Sequence, residues 1–139
     1  MAVTSTPIFP QTIQNWAVQI LPADTTTKKT LVTGGANGTK IEAINVASDD
    51  TASKNLQFYL SDGATDYLLT WVAIAATSGF TTTVPSVAPL QSTQFPLNWF
   101  DANGNKCYML KSGWSLKVAV SATMTTAKTM HITAIGSDF

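Results

Sequence analysis

The chain has 139 residues, a formal net charge of zero and an isoelectric point near 6.5, which fits one compact domain. Apolar residues make up 45% of it and charged residues only 12%, with no arginine and a single glutamate, Glu42. This composition excludes a disordered tail and is atypical of soluble enzymes and nucleic-acid binders, so serine and threonine, about a quarter of the chain, must supply the surface polarity.

The cysteine count and the apolar runs indicate where such a chain folds. Cys107 is the only cysteine, so no disulfide can form within the chain, and we expect it to fold in a reducing cytoplasm. The first residues lack the basic and apolar stretches of a secretory signal. The longest apolar run, residues 67–76, is about half the length of a membrane-spanning helix, and the lysines are scattered. We therefore expect no membrane segment and no nucleic-acid partner.

The chain opens with a predicted extended arm, residues 1–14. Pro7 and Pro10 flank Ile8 and Phe9, and proline holds both itself and the preceding residue in extended conformations. Apolar side chains in such an arm cannot bury themselves by secondary structure alone. We therefore expect Pro7, Ile8, Phe9 and Pro10 to dock on a neighbouring molecule or to cover an edge of their own sheet.

The remainder, residues 15–139, is predicted to be one all-β domain of short alternating segments. In residues 40–47 the apolar phase changes between Ile41 and Ile44, which predicts a bent strand that either contains a β-bulge or is covered on both faces. Residues 55–61 alternate between apolar and polar side chains, as in a half-buried strand.

The middle of the chain contains two strongly apolar segments. Residues 67–76 follow an Asp62-Gly63 turn and are largely β-branched or aromatic up to Ile74, which favours a central or interface strand over a helix. Residues 84–100 are too apolar for a solvated loop and are interrupted by prolines, so we expect them to cross one sheet edge. Those prolines are Pro85, Pro89 and Pro96.

The last third shows the clearest strand pattern. Residues 114–122 and 128–135 each place apolar side chains on alternate positions, and we expect the two to pair as a hairpin. Turn dipeptides such as Asn37-Gly38 and Asn103-Gly104 recur along the chain. Together these segments predict a single antiparallel β-sandwich or jelly roll of about eight strands.

Residues for catalysis or metal binding are scarce. His131, the only histidine, lies in mid-strand, and the chain has no Gly-x-Ser-x-Gly motif to accompany it. One histidine and one cysteine cannot form a zinc site within one chain. Residues 101–105 resemble the first half of a calcium loop, but Lys106 and Ser112 replace its glycine and glutamate. We therefore predict no catalytic residues, no cofactor and no metal.

Four tryptophans could form a stacking platform for sugar rings, or simply fill the core. Trp114 lies in phase with the buried face of its strand, and Trp71 lies within the apolar run. Trp16 and Trp99 are therefore the candidates for surface aromatic contacts.

Three segments of the last third carry a resemblance to a known family. These are Asp101–Asn105, Leu110–Val118 and Ile132–Phe139, with weaker support from residues 55–60. They resemble small β-sandwich virion proteins of tailed bacteriophages. The resemblance implies a head decoration or cement protein that binds the assembled capsid through its major capsid protein and forms a homotrimer on a local threefold axis. It supplies no catalytic residues, and it implies that Pro7, Ile8, Phe9 and Pro10 contact the capsid or a neighbouring subunit.

Three functional hypotheses follow. The first is a non-enzymatic capsid decoration protein, made in the host cytoplasm and located on the capsid surface of the virion. The second is a phage tail, baseplate or spike component, or a carbohydrate-binding module for a host surface, dependent on Trp16 or Trp99. The third is a small hydrolase dependent on His131, a histidine for which the sequence offers no partner.

Overall fold

A computed structural model describes residues 9–95 and 97–139. Pro7 and Ile8 of the predicted arm lie outside these residues, as does Pro96. The described chain forms nine strands in two antiparallel sheets, which confirms the predicted β-sandwich. The strands are β1 (Thr12–Ile20), β2 (Lys29–Thr33), β3 (Thr39–Ser48), β4 (Lys54–Ser61), β5 (Asp66–Ile74), β6 (Trp99–Phe100), β7 (Lys106–Leu110), β8 (Ser115–Val120) and β9 (Met130–Asp138).

The first sheet has the strand order β1-β9-β3-β7-β6, and the second has the order β2-β8-β4-β5. Two short 3-10 helices, Pro22–Asp24 and Pro89–Gln91, interrupt the connections. No helix in the described parts of the chain has the length and apolar character needed to cross a bilayer.

The core lies between the facing sides of the two sheets. Alternate residues of β9, among them Met130 and Ile132, are buried on one side, and Leu116 and Val118 of β8 are buried on the other. This is the alternation that the sequence predicts for both strands. Phe95, from the long connection before β6, also lies in this core.

The predicted hairpin of β8 with β9 is wrong, because the two strands belong to opposite sheets. β8 pairs with β2 and β4, whereas β9 pairs with β1 and β3. An apolar face on each strand is buried equally well when the strands face each other across the core. The connection, residues 121–129, is also long enough to cross from one sheet to the other, whereas most hairpin loops have about 2–5 residues.

Of the two alternatives for β3, the structure shows the β-bulge. The register between β3 and β9 shifts between Ile41 and Ala43, so both Ile41 and Ile44 point into the core while Glu42 is exposed. Opposite the bulge, Gly136 pairs with Ile41. A Cβ atom on Gly136 would lie 2.0 Å from the carbonyl oxygen of Lys40, so the close approach of the two strands requires glycine here.

We expect Gly136→Ala to lower the free energy of unfolding by about 1–3 kcal/mol, because β9 must move away from the bulge to admit the methyl group. Urea denaturation followed by tryptophan fluorescence measures the change. Gly104→Ala is a matched control, since a Cβ there meets nothing within 4 Å and only the positive φ of 81° is unfavourable. Equal effects of the two substitutions would contradict the steric explanation.

β5 is a strand, as predicted, but it lies at the edge of the second sheet and is not central. Val72 and Ile74 are buried, whereas the first half of the strand is largely exposed. A register shift between Phe58 and Tyr59 of β4 interrupts the pairing with β5. The two faces of β5 therefore differ, because one contributes to the core and the other is exposed to solvent.

The segment at residues 84–100 crosses a sheet edge, as predicted. Val87 pairs with Val46 of β3 through two backbone hydrogen bonds of 2.8 and 2.9 Å. Leu90 and Phe95 are then fully buried between the sheets. The segment therefore covers the part of β3 that the short strand β7 does not reach.

At the N-terminus, the described chain joins the sandwich earlier than the predicted boundary between residues 14 and 15. β1 begins at Thr12, which pairs with Asp138 of β9, and Gln14 donates a side-chain hydrogen bond of 2.8 Å to the Asp138 carboxylate. Residues 12–14 are therefore part of the first sheet.

Candidate interaction surfaces

His131, the residue of the hydrolase hypothesis, is exposed on the outer face of β9. Its Nε2 atom lies 3.2 Å from the hydroxyl oxygen of Thr129, and its ring centroid lies 5.9 Å from that of Phe80. A catalytic histidine needs a nucleophile on one side and an orienting group on the other. Within the described chain, the hydrogen-bond partner of His131 is a hydroxyl group and no carboxylate orients it.

Residues 101–105, which resemble the first half of a calcium loop in sequence, form the hairpin turn between β6 and β7. The Asp101 carboxylate accepts hydrogen bonds from the backbone N–H groups of Asn105 and Asn103 at 2.8 and 2.9 Å. These bonds, chiefly that from Asn105, hold the pKa of Asp101 below its usual value. In the residues described, no three His, Cys, Asp or Glu side chains form a group that could hold a metal ion.

Most charged side chains near the exposed surfaces are paired. Asp66 lies 2.9 Å from the ammonium group of Lys117 and 3.2 Å from that of Lys28. The hydrogen bond from Lys117 is the main cause of the strongly lowered pKa of Asp66. Lys40 lies 2.9 Å from Glu42, and this hydrogen bond raises the pKa of Lys40. The surfaces beside these pairs therefore carry little unbalanced charge.

An apolar depression lies beside β6, and we call it the Trp99 groove. It consists of two adjoining cavities of about 290 and 540 Å³, and Trp99, Met109 and Phe139 line both. Pro10 and Phe100 line the smaller cavity. Trp99 and Phe100 are 65% and 66% exposed, and grouped apolar side chains of this size are typical of an interaction site.

The alternation along β7 determines which side chains reach the groove. Tyr108 and Leu110 point into the core, whereas Cys107 and Met109 point to the outer face. Trp99 pairs with Cys107 across the ladder between β6 and β7 and therefore lies on the same outer face. Cys107 is covered there, and burial raises the pKa of its thiol.

A second exposed apolar surface lies on the first half of β5, and we call it the Trp71 patch. It consists of Leu68 and Trp71, which are 50% and 48% exposed and lie opposite Tyr59 and Gln57 on the outer face of the second sheet. β5 hydrogen-bonds to β4 on one side only and forms the edge of the second sheet. The patch and the Trp99 groove therefore belong to different sheets of the sandwich.

The structure brings together two of the predicted contact residues. Pro10 of the arm and Trp99 line the same cavity. Phe9 is 69% exposed, next to that rim. Trp16 lies on the inward side of β1, half-buried and packed against the core, and it lines neither cavity of the groove.

Sequence reasoning missed Met109, Phe139 and the Trp71 patch as surface features. Trp71 was assigned to the core because it lies within a long apolar run. Its exposure depends on β5 being an edge strand, which periodicity does not reveal. For Met109, a signal was available, since it alternates with Tyr108 and Leu110 in a short strand.

Comparisons with known proteins give only distant similarity. No protein-family model matches the chain, and no curated protein matches it. It is similar to the nucleoplasmin-like N-terminal domain of Drosophila FKBP39, with 13% identity over 95% of this chain and 96% of that one, at a TM-score of 0.43. It is also similar to a chain of the cyanophage Pam1 capsid asymmetric unit, with 16% identity over 100% of this chain and 94% of that one, at a TM-score of 0.43. Both similarities are too low to support a functional argument.

Proposed function

We propose that this protein is a non-enzymatic virion structural protein that binds and stabilises an assembled phage capsid, as a decoration or cement protein. The observation that carries the proposal is the presence of exposed apolar surfaces on both sheets of one sandwich, the Trp99 groove and the Trp71 patch. The resemblance of the last third of the sequence to phage virion proteins supports the same function.

The physical basis of this function is adhesion. Half-exposed aromatic side chains supply most of the binding free energy in many protein interfaces, and Trp71 has this character. A protein that binds only the assembled shell stabilises that shell by mass action, and the modest stabilisation from each bound copy adds up over many copies. The partner in this proposal is the major capsid protein, and the protein is a homotrimer on the capsid surface.

The copy number of the chain in purified particles tests the proposal. Quantitative mass spectrometry against the major capsid protein should give a ratio near one per capsid subunit. A few copies per particle would assign the protein to a tail or vertex. Its absence from particles would contradict any virion function.

We expect the Trp71 patch to contact the shell, so Trp71→Ser should weaken binding to capsids that lack the protein by about tenfold or more. The measurement is co-sedimentation of purified protein with such capsids. Phe80→Ser is the matched control, because Phe80 is also about half exposed, at 51%, but lies outside both surfaces. Equal binding by the two variants would exclude the patch as the contact.

A carbohydrate-binding function in a tail or spike is the second candidate, because Trp99 exposes 65% of its surface beside Phe100. Exposed aromatic rings can stack on sugar rings. Binding to host-surface glycans should then be lost in Trp99→Ala, whereas an unchanged signal in Trp99→Ala and Trp16→Ala would exclude this function.

A further inference from the structure

We propose that the Trp99 groove binds the N-terminal segment, residues 1–8, of a second copy of this chain, so that subunits are joined arm to groove. This inference deepens the proposed function, because it assigns the arm to a neighbouring subunit and leaves the Trp71 patch for the shell. It rests on the chemistry of the groove and on the position of the described residues beside it.

The groove and the segment match in charge and polarity. The groove is lined mainly by Trp99, Met109 and Phe139, and the charged side chains at its edges have contacts of their own. Lys40 is paired with Glu42 at 2.9 Å, the ammonium group of Lys111 lies 5.8 Å from the ring centroid of Trp114, and Asp101 accepts backbone hydrogen bonds in its own turn. The segment has the sequence MAVTSTPI, with no charged side chain and with apolar residues at several positions. A peptide with charged side chains would lose hydration against the apolar lining, whereas this segment would bury apolar surface.

The backbone beside the groove is suited to an extended peptide. β6 is the outermost strand of the first sheet, and among the described residues it pairs with β7 alone, which leaves its other side open to a further strand. Pro7 holds the residue before it in an extended conformation. An extended segment can therefore add to the edge at β6 while its side chains contact Trp99, which is a common mode of peptide binding.

The first described residues favour a second copy over the same chain. Pro10 lies at the rim of the groove, yet Phe9 is 69% exposed and Trp99 remains 65% exposed. Phe9 and Pro10, the described residues of the arm, thus leave the groove unfilled. Eight extended residues span roughly 26 Å, which is longer than the radius of gyration of about 14 Å expected for a domain of this length. The segment can therefore reach an adjacent subunit.

The geometry of such a contact has a consequence for assembly. Arm and groove are different surfaces, so each subunit donates to one neighbour and accepts from another. A head-to-tail contact of this kind closes into a ring when the rotation between subunits permits it. Arm exchange therefore accounts for a cyclic homotrimer with all arms and all grooves occupied.

Disulfide trapping between two different chains tests the inference. Both chains carry Cys107→Ser; one also carries Ile8→Cys and the other Met109→Cys. They are mixed at full length, oxidised in air and digested for mass spectrometry. We expect a linked peptide pair joining positions 8 and 109, which can form only between chains in this mixture. Met109 is 40% exposed, so its position is accessible.

The control replaces Met109→Cys with Ser53→Cys, at an exposed position in the turn between β3 and β4. We expect at least tenfold less of the linked pair joining positions 8 and 53. Equal yields, or no pair joining positions 8 and 109, would overturn the inference. Because the experiment uses no capsid, its failure leaves the particle copy number as a separate test of the proposed function.

Light scattering gives a second measurement. Deletion of residues 1–8 and the substitution Trp99→Ser should each reduce the oligomer to the mass of a monomer, whereas Phe80→Ser should not. The deletion stops before β1, which begins at Thr12, so it leaves the sheet intact. An unchanged mass in both the deletion and the Trp99 variant would also overturn the inference.

Discussion

Phe95→Ala is expected to lower the free energy of unfolding by about 3–5 kcal/mol, because it removes a fully buried ring from the centre of the sandwich. Phe95 is 1% exposed and packs edge-to-face on two other rings, with centroids 5.3 Å from Phe58 and 5.7 Å from Tyr108. Phe58 belongs to the second sheet and Tyr108 to the first. The substitution therefore removes contacts to both sheets at once.

Urea denaturation at pH 7 measures this effect, with Phe80→Ala as the matched control. Phe80 is 51% exposed, and surface substitutions of this kind usually change stability by less than about 0.5 kcal/mol. Phe95→Leu should cost less than Phe95→Ala, since it keeps much of the side-chain volume. A loss below about 1 kcal/mol for Phe95→Ala would show that the ring does not support the core.

Phe95 also connects the core to the Trp99 groove. The chain runs from Phe95 into β6 within a few residues, and the ammonium group of Lys106 at the start of β7 donates a 3.0 Å hydrogen bond to the carbonyl oxygen of Ser92. The exposed ring of Trp99 is therefore positioned by a buried anchor on one side and by β7 on the other. An interaction surface held in this way loses little conformational entropy on binding.

Local sequence patterns predicted where the strands lie but not which strands pair with each other. Alternation identified β8 and β9, and the change of phase between Ile41 and Ile44 indicated an irregularity in β3 that the structure shows to be a bulge. Whether β8 and β9 form a hairpin or face each other across the core depends on contacts distant in sequence, and an apolar face fits both arrangements. The same uncertainty led to the prediction of β5 as a central or interface strand, and the structure excludes the first alternative by placing β5 at a sheet edge.

The candidate surfaces were predictable to a similar extent. Trp99 and Pro10 were singled out from separate apolar segments, and the structure places both at one cavity. No sequence pattern links them, because β1, β7 and the C-terminus come together only through the order of the first sheet. Trp16 was also a candidate surface residue, but it lies on the inward side of β1, because it pairs with Ala134, a buried residue of β9.

The second large effect concerns a buried carboxylate. Asp50→Ala is expected to lower the free energy of unfolding at pH 7 by about 3–5 kcal/mol. Asp50 is fully buried, and its carboxylate accepts hydrogen bonds from the Thr125 N–H at 2.8 Å, the Thr125 hydroxyl at 2.7 Å and the Ala52 N–H at 2.9 Å. Its nearest cation, Lys54, lies 3.7 Å away. The carboxylate thus fixes the connection between β8 and β9 to the turn before β4.

This effect should depend on pH in a defined direction. Burial alone would raise the pKa of Asp50, but the hydrogen bonds from Thr125 and Ala52 and the charge of Lys54 outweigh it, so the pKa lies below its usual value. The unfolded state then takes up a proton more readily than the folded state as the pH falls. The stabilisation by Asp50 is therefore complete above a pH of about 4 and decreases as the pH falls towards the pKa of the folded state.

Comparison of wild type with Asp50→Asn isolates this residue. Asparagine keeps the shape of the side chain but cannot carry the charge. The difference in the free energy of unfolding between the two proteins should therefore be larger at pH 7 than at pH 3. Asp66, whose pKa is strongly lowered, chiefly by the hydrogen bond from Lys117, also loses part of its stabilising effect as the pH falls below about 4, and it does so equally in both proteins. A difference in stability that stays constant between pH 7 and pH 3 would show that the ionisation of Asp50 does not stabilise the fold.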